Sequence, residues 1–313
     1  VGLLAAAAIY LRGWWALRAK GFTLLAHPAL VVRHLGGVAA LVAALCSPVE
    51  SWQRHSLAAH MVQHELLMIV AAPLLLAARP LPVGLWGLPG RIRIALGRAL
   101  ARDRPLRRWL DSFLTPAPAL ATSVGVLWAW HLPSLYNGVQ SSRVLHDLQH
   151  LSFFASGLLL WWPIVRAAPW TYRWAQLEGV LYGLVAYLLV GSTLRSLPGA
   201  YFVLSDTPVY DYYIAQRGPQ ALQDQRLAGA IMWGVPLPLF LAAALSAVWG
   251  GRNRSASAAA LSDPGTGTAP VPLDPRRPGR LSPPPPRGWE TQTAPPPPQT
   301  PAASGRRLRA PPG

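Results

Sequence analysis

Of the 313 residues, 52% belong to the hydrophobic set and only 13% are charged, about half the charged share of roughly 25% found in soluble domains. Lysine and arginine number 28 against 12 acidic residues, a net charge of +16, and Cys46 is the single cysteine. This much apolar surface excludes a wholly disordered chain, one cysteine excludes a disulfide scaffold, and low charge with long apolar runs leaves an integral membrane protein.

Seven apolar stretches run in order at 1–18, 29–47, 57–78, 116–133, 148–165, 177–197 and 227–249. Each is close to the roughly 20 residues that a spanning helix needs, and helices are the default spanning structure for such runs. The first starts at Val1 with eleven residues before Arg12, about 16 Å of helix, so it is expected to be an incomplete span. No basic segment precedes it, which argues against a signal peptide. The expected fold is all-α: a polytopic membrane helix bundle of about seven transmembrane helices over 1–250. Residues 251–313 are rich in Pro, Gly and Arg, bury too little apolar surface to offset chain entropy, and are expected to form a disordered cytoplasmic tail.

Basic residues orient the spans. Arg12, Arg18 and Lys20 follow the first, and Arg79, Arg91, Arg93, Arg98, Arg102, Arg104, Arg107 and Arg108 follow the third. Arg166 and Arg173 follow the fifth, and nine more lie in the tail. The alternate loops hold only Arg54, Arg143, Arg195, Arg217 and Arg226. The consistent arrangement has seven spans, with the N-terminus out and the C-terminus in. The positive charge is thus topological, and the body lacks the basic groove with base-reading residues that a nucleic-acid partner would need. Between the arginines of 91–110, Ile92, Leu96, Leu100, Leu106 and Leu110 share roughly one helical face, as suits one cationic helix lying on an anionic leaflet.

Six of the eight histidines then fall at or near the outer face, although only Lys and Arg set the orientation. His60/His64 and His146/His150 have the i, i+4 spacing that puts two imidazoles on one face of a helix. His131 ends the fourth span at the same depth. Ionisable groups inside a membrane are unfavourable and usually mark a functional site, and clustered imidazoles suit copper, zinc, iron or nickel. His60, His64, His131, His146 and His150 are the expected metal ligands. Met68, Met232 and Cys46 are possible accessory soft donors, with packing the more ordinary role for each. The outward thiol of Cys46 is the most suggestive for metal transfer. His55 reads as a rim residue. His27 and His34 fall on the inner side and carry no assigned role. Asp206, Tyr210 and Asp211 read first as solvated loop.

A zinc protease fits poorly. His60-Met-Val-Gln-His64 lacks the required Glu, and His146-Asp147-Leu-Gln-His150 has the shorter Asp. No nucleophile elbow or phosphate-binding glycine loop is present. Two rivals to a metal-handling protein stay open. One is a haem-binding membrane electron-transfer protein, since helices can present axial histidines to iron. The other is a transporter whose histidines relay protons.

Three blocks add a family resemblance. HMVQHELLMIVAAPLLLAARP (60–80), WAWHLPSLYNGVQSSRVLHDLQHLSFFASGLLLWWPI (128–164) and LQDQRLAGAIMWGVP (222–236) resemble, in that order, the polytopic CtaG-type assembly factors of caa(3)-type cytochrome c oxidase. The likeness covers roughly 20–250. It implies a non-enzymatic membrane protein that assembles a haem–copper oxidase by binding or delivering copper. The implied partners are oxidase subunits or their copper chaperones. By motif, His60 and His64 match HMxQH, Trp130, His131, Pro133 and Tyr136 match WxHxPxxY, and His146 and His150 match the paired histidines. Asp224, Gln225, Gly229 and Met232 match a DQxxGxxMW-like segment, which makes Asp224 a further possible accessory ligand.

Overall fold

In a computed structural model the structure describes residues 2–101, 104–166, 174–243 and 245. The expected tail, 251–313, lies outside the described residues. The fold is all-helical, with no strand among the described residues. In chain order the helices that build it are α1 (Gly2–Ala19), α2 (Pro28–Leu45), α3 (Pro48–Trp52), α4 (Leu57–Ala77) and α5 (Pro80–Gly87). After them come α6 (Gly90–Ala99), α7 (Pro105–Phe113), α8 (Pro116–Trp130), α9 (Pro133–Ser141) and α10 (Arg143–Arg166). The last three are α11 (Trp174–Leu204), α12 (Asp211–Arg217) and α13 (Ala221–Gly234). Proline recurs in the first turn, where its missing N–H would be unpaired anyway: Pro28, Pro48, Pro80, Pro105, Pro116 and Pro133 all sit there.

Four helical stretches are long and apolar enough to cross a membrane: Pro28–Trp52, Leu57–Ala77, Arg143–Val165 and Asp211–Ala243. A fifth joins them if Arg107–Phe113 and Pro116–Trp130, bent by 71°, act together. Among the described residues, length and hydropathy therefore mark four or five spans where seven were expected. In α1, Arg12 and Arg18 dilute an otherwise apolar run. The single cationic helix expected over 91–110 is two helices, α6 and α7. Pro105 opens the second, because it cannot accept a place inside a continuous helix without losing a hydrogen bond.

Backbone proximity fixes how the helices pack. A Cβ at Gly229 would strike the Gly199 carbonyl oxygen and come within 2.8 Å of the Phe202 Cβ, so α11 and α13 meet at bare backbone, the contact that small residues permit between membrane helices. Gly157 of α10 lies against α4 in the same way, 2.9 Å from its would-be Cβ to the Met68 Cα. Within α4, Leu66–Ala71 widens into a π-helical stretch just before Pro73. Proline has no N–H for the carbonyl four residues earlier and its ring crowds it, and a π-bulge relieves both. Trp161 Nε1 donates to the Met68 carbonyl oxygen at 3.0 Å. Trp161 is itself buried, inside the bundle. The core centres on α4, α10 and α11, with Met61, Leu67, Met68, Phe153, Leu160 and Leu188 buried together.

Two short helices close the end of the bundle where α4 and α10 begin and α8 ends. These are α9 and α12, in segments that the sequence suggested were outer loops. Tyr136 of α9, Tyr213 of α12 and Tyr210 just before it are all buried, and Tyr136 stacks on Tyr210 with ring centroids 4.0 Å apart. Tyr210 therefore faces inward, where a solvated loop was expected.

Candidate metal centre

The first turn of α4 is built to be held still. Ser56 caps it, its Oγ accepting from the Ala59 N–H at 3.2 Å. Ser56 Oγ in turn donates to Asp224 Oδ1 at 2.6 Å, and the Leu57 N–H donates to Asp224 Oδ2 at 2.6 Å. Helix N-termini leave such N–H groups without intrahelical partners, and here a carboxylate from α13 supplies the acceptor. One turn further on, Gln63 Nε2 donates to the Ala44 carbonyl oxygen at 2.8 Å and to Glu50 Oε2, tying α4 to α2 and α3.

On this fixed turn His60 and His64 project together, their ring centroids 4.3 Å apart. His146 and His150 of α10 lie 4.1 Å apart. The two pairs face each other: His60 to His146 is 5.5 Å, His60 to His150 6.1 Å and His64 to His150 5.7 Å. His131, at the end of α8, stands 6.3 Å from His64. All five are buried, yet Nε2 of each has no hydrogen-bond partner, and Nδ1 of His64 has none either. A buried unsatisfied polar atom costs about 1–3 kcal/mol, and five in one place could hold a ligand that accepts nitrogen lone pairs.

The tightest group is His60, His146 and His150, whose ligand nitrogens all lie within 4.8 Å of one another. Three imidazole nitrogens on one ion, each about 2.0 Å from it, would be roughly 3.5 Å apart. A small inward rotation of the rings covers the difference. The donor set is imidazole alone, which fits copper, zinc, iron or nickel. The orientations of two rings are also supported: His131 Nδ1 donates to the Leu127 carbonyl oxygen at 2.7 Å, and His60 Nδ1 meets Tyr136 Oη and Gln140 Nε2.

The family model for cytochrome c oxidase caa3 assembly factors (Caa3_CtaG) matches residues 8–252. The chain belongs to this family. No curated protein and no solved structure matches it.

In this assembly-factor chain the possible accessory donors stand apart from the three gathered histidines. Asp224 has both carboxylate oxygens on the first turn of α4, with Arg217 Nε 3.7 Å from Oδ2. Met68 is fully buried, and its sulfur accepts from Arg195 Nη2 at 3.6 Å. Met232 is buried where α13 crosses Gly199. Cys46 is an exposed free thiol at the end of α2. It borders an open cavity of about 460 Å³ with Ser47, Glu50, Ser51, Arg54 and His55. Of the inner histidines, His27 caps α2 through Nδ1 and His34 stacks on Tyr10, ring centroids 3.7 Å apart.

The sequence reading missed Tyr213, Gln140 and Gln53. Tyr213 and Gln140 reach the ring of His60 directly, and the Gln53 carbonyl accepts from Tyr213. Tyr136 was marked only through a motif. No spacing rule picks out such residues, because they come from α9, α12 and the end of α3.

Proposed function

We propose that this assembly factor holds copper as cargo at the outer face of a bacterial plasma membrane and passes it to a subunit of a haem–copper cytochrome c oxidase. His60, His146 and His150 are the principal ligands, and His64 and His131 offer neighbouring nitrogens along the same end of the bundle. The observation that carries this reading is the set of five buried Nε2 atoms without partners. An all-imidazole site buried under α9 and α12 suits cargo that must be kept from water and then released. The copper reaches the oxidase either directly or through one of its copper chaperones.

The role is non-catalytic: the ion is bound and transferred, and no covalent bond of a substrate is broken. The chain crosses the membrane seven times, with the N-terminus out and the C-terminus in the cytoplasm. The support for this orientation is the arginine-poor end that carries the histidines, opposite the arginine-rich connections. Residues 1–250 form the membrane domain.

The test uses cells that lack the gene and carry either the wild-type chain or a His60→Ala/His146→Ala/His150→Ala variant at equal membrane abundance. Wild type is expected to restore oxidase activity and the copper content of the purified oxidase, and the variant neither. Full restoration of both by the variant contradicts the reading.

A further inference from the structure

His60 stands at one end of a chain of hydrogen bonds whose other end can only accept. Tyr213 Oη lies 2.7 Å from the Gln53 carbonyl oxygen and 3.5 Å from Tyr136 Oη. Tyr136 Oη in turn is bonded to His60 Nδ1. A carbonyl has no proton to give, so Tyr213 donates to Gln53. A phenol has one proton and two lone pairs, so Tyr213 can meet Tyr136 only as an acceptor, and the Tyr136 proton is free to turn to it. What Tyr136 presents to His60 is a lone pair. With the Tyr136 proton so turned, Nδ1 of His60 carries a proton and Nε2 is left with the free electron pair.

Gln140 meets both His60 and Tyr213. Its amide lies 3.0 Å from His60 Nδ1 and 3.4 Å from Tyr213 Oη. As placed, its Nε2 donates to Tyr213 Oη, and Oε1 accepts from Nδ1–H only after the half-turn that exchanges amide nitrogen and oxygen. Both tyrosines are almost wholly buried, 0% and 2% exposed, so no bulk water competes to reverse the chain. His131 reaches the same state in one step, with Nδ1 on the Leu127 carbonyl oxygen. Two ligands from different helices are thus directed by acceptor-only carbonyls.

We propose that Tyr136 and Tyr213, anchored on the Gln53 carbonyl, are positioning residues that lock His60 in the Nδ1–H tautomer and aim a bare Nε2 at His146 and His150. The proposal rests on the copper reading of the histidine cluster. It assigns a purpose to α9 and α12: they carry the phenols that set the ring of α4.

The full-length chain, labelled with 15N-histidine and purified in detergent without metal, tests it by magic-angle-spinning NMR. His60→Ala identifies the His60 signals. Wild type is expected to show a protonated Nδ1 and a bare Nε2 on His60. Tyr136→Phe removes the acceptor and Tyr213→Phe frees the Tyr136 proton to turn toward Nδ1, so both shift His60 toward the Nε2–H form. Cu(I) affinity, read by competition with a chromophoric chelator, is expected to fall about 10- to 100-fold in both, the range for losing an outer partner of a metal ligand. An Nε2–H tautomer in wild type overturns the proposal. So does unchanged tautomer and affinity in a folded Tyr136→Phe chain. Should Tyr136→Phe not fold, Tyr213→Phe and the wild-type spectrum decide. A wild-type chain with the expected tautomer that binds no Cu(I) supports the lock and overturns the copper reading, so the two fail separately.

Discussion

Asp224 and Ser56 are 168 residues apart in the chain and 2.6 Å apart in space, the serine hydroxyl donating to the carboxylate. The same carboxylate takes the Leu57 N–H, so α13 holds the first turn of α4, which ends on His60. The Asp224 carboxylate thus fixes the helix that carries His60. Asp224→Ala leaves a buried N–H and a hydroxyl without their acceptor. The expected loss is about 2 kcal/mol, from the usual range for a lost cap and an orphaned donor. Asp224→Asn retains one acceptor oxygen and is expected to lose less. Denaturant unfolding in detergent measures both, and an Asp224→Ala chain as stable as wild type would contradict the assignment.

The five histidines are expected to differ in their contribution. His60, His146 and His150 are the group whose nitrogens converge, whereas His64 and His131 stand 6.3 Å apart by ring centroid. Alanine at any of the three should weaken Cu(I) binding more than alanine at His131. Single-variant Cu(I) competition titrations check the ranking. Equal losses at all five positions would indicate a shared, shifting site.

Glycine gives a prediction independent of metal. At Gly229 a side chain would collide with the Gly199 carbonyl oxygen. Gly229→Val is expected to destabilise the fold by about 1–3 kcal/mol, the usual range for overpacking. Gly125 of α8 has nothing within 4 Å of a would-be Cβ, and Gly125→Ala is expected to stabilise by about 0.5–1 kcal/mol through reduced chain entropy. Thermal unfolding of both variants in one detergent tests the contrast. Destabilisation of equal size at the two positions would rule out close helix packing as the cause.

The helices and the histidine pairs were legible in sequence for one reason: both depend on local spacing. Apolar runs of about 20 residues mark α2, α4 and α10, and an i, i+4 interval puts two imidazoles on one face whatever surrounds them. Depth along the bundle then brought His131 into the same set. Hidden from sequence were the features that depend on contacts between distant segments. Tyr213 reaches His60 over 153 residues, and Asp224 reaches Leu57 over 167. The bond from Trp161 to the Met68 carbonyl in the π-helical stretch of α4 spans 93 residues, equally beyond local spacing. The number of crossings is the hardest to read, because Arg12 and Arg18 weaken the hydropathy of α1 without preventing its helix.

The buried imidazoles are proposed to hold copper. The most direct measurement is Cu(I) stoichiometry on detergent-purified, full-length protein, beside a His60→Ala/His64→Ala/His146→Ala/His150→Ala variant of matched fold. Near-stoichiometric Cu(I) in wild type, lost in the variant and without a Soret band in either, is the predicted result. Absence of bound copper in wild type, or equal copper in both, would contradict it.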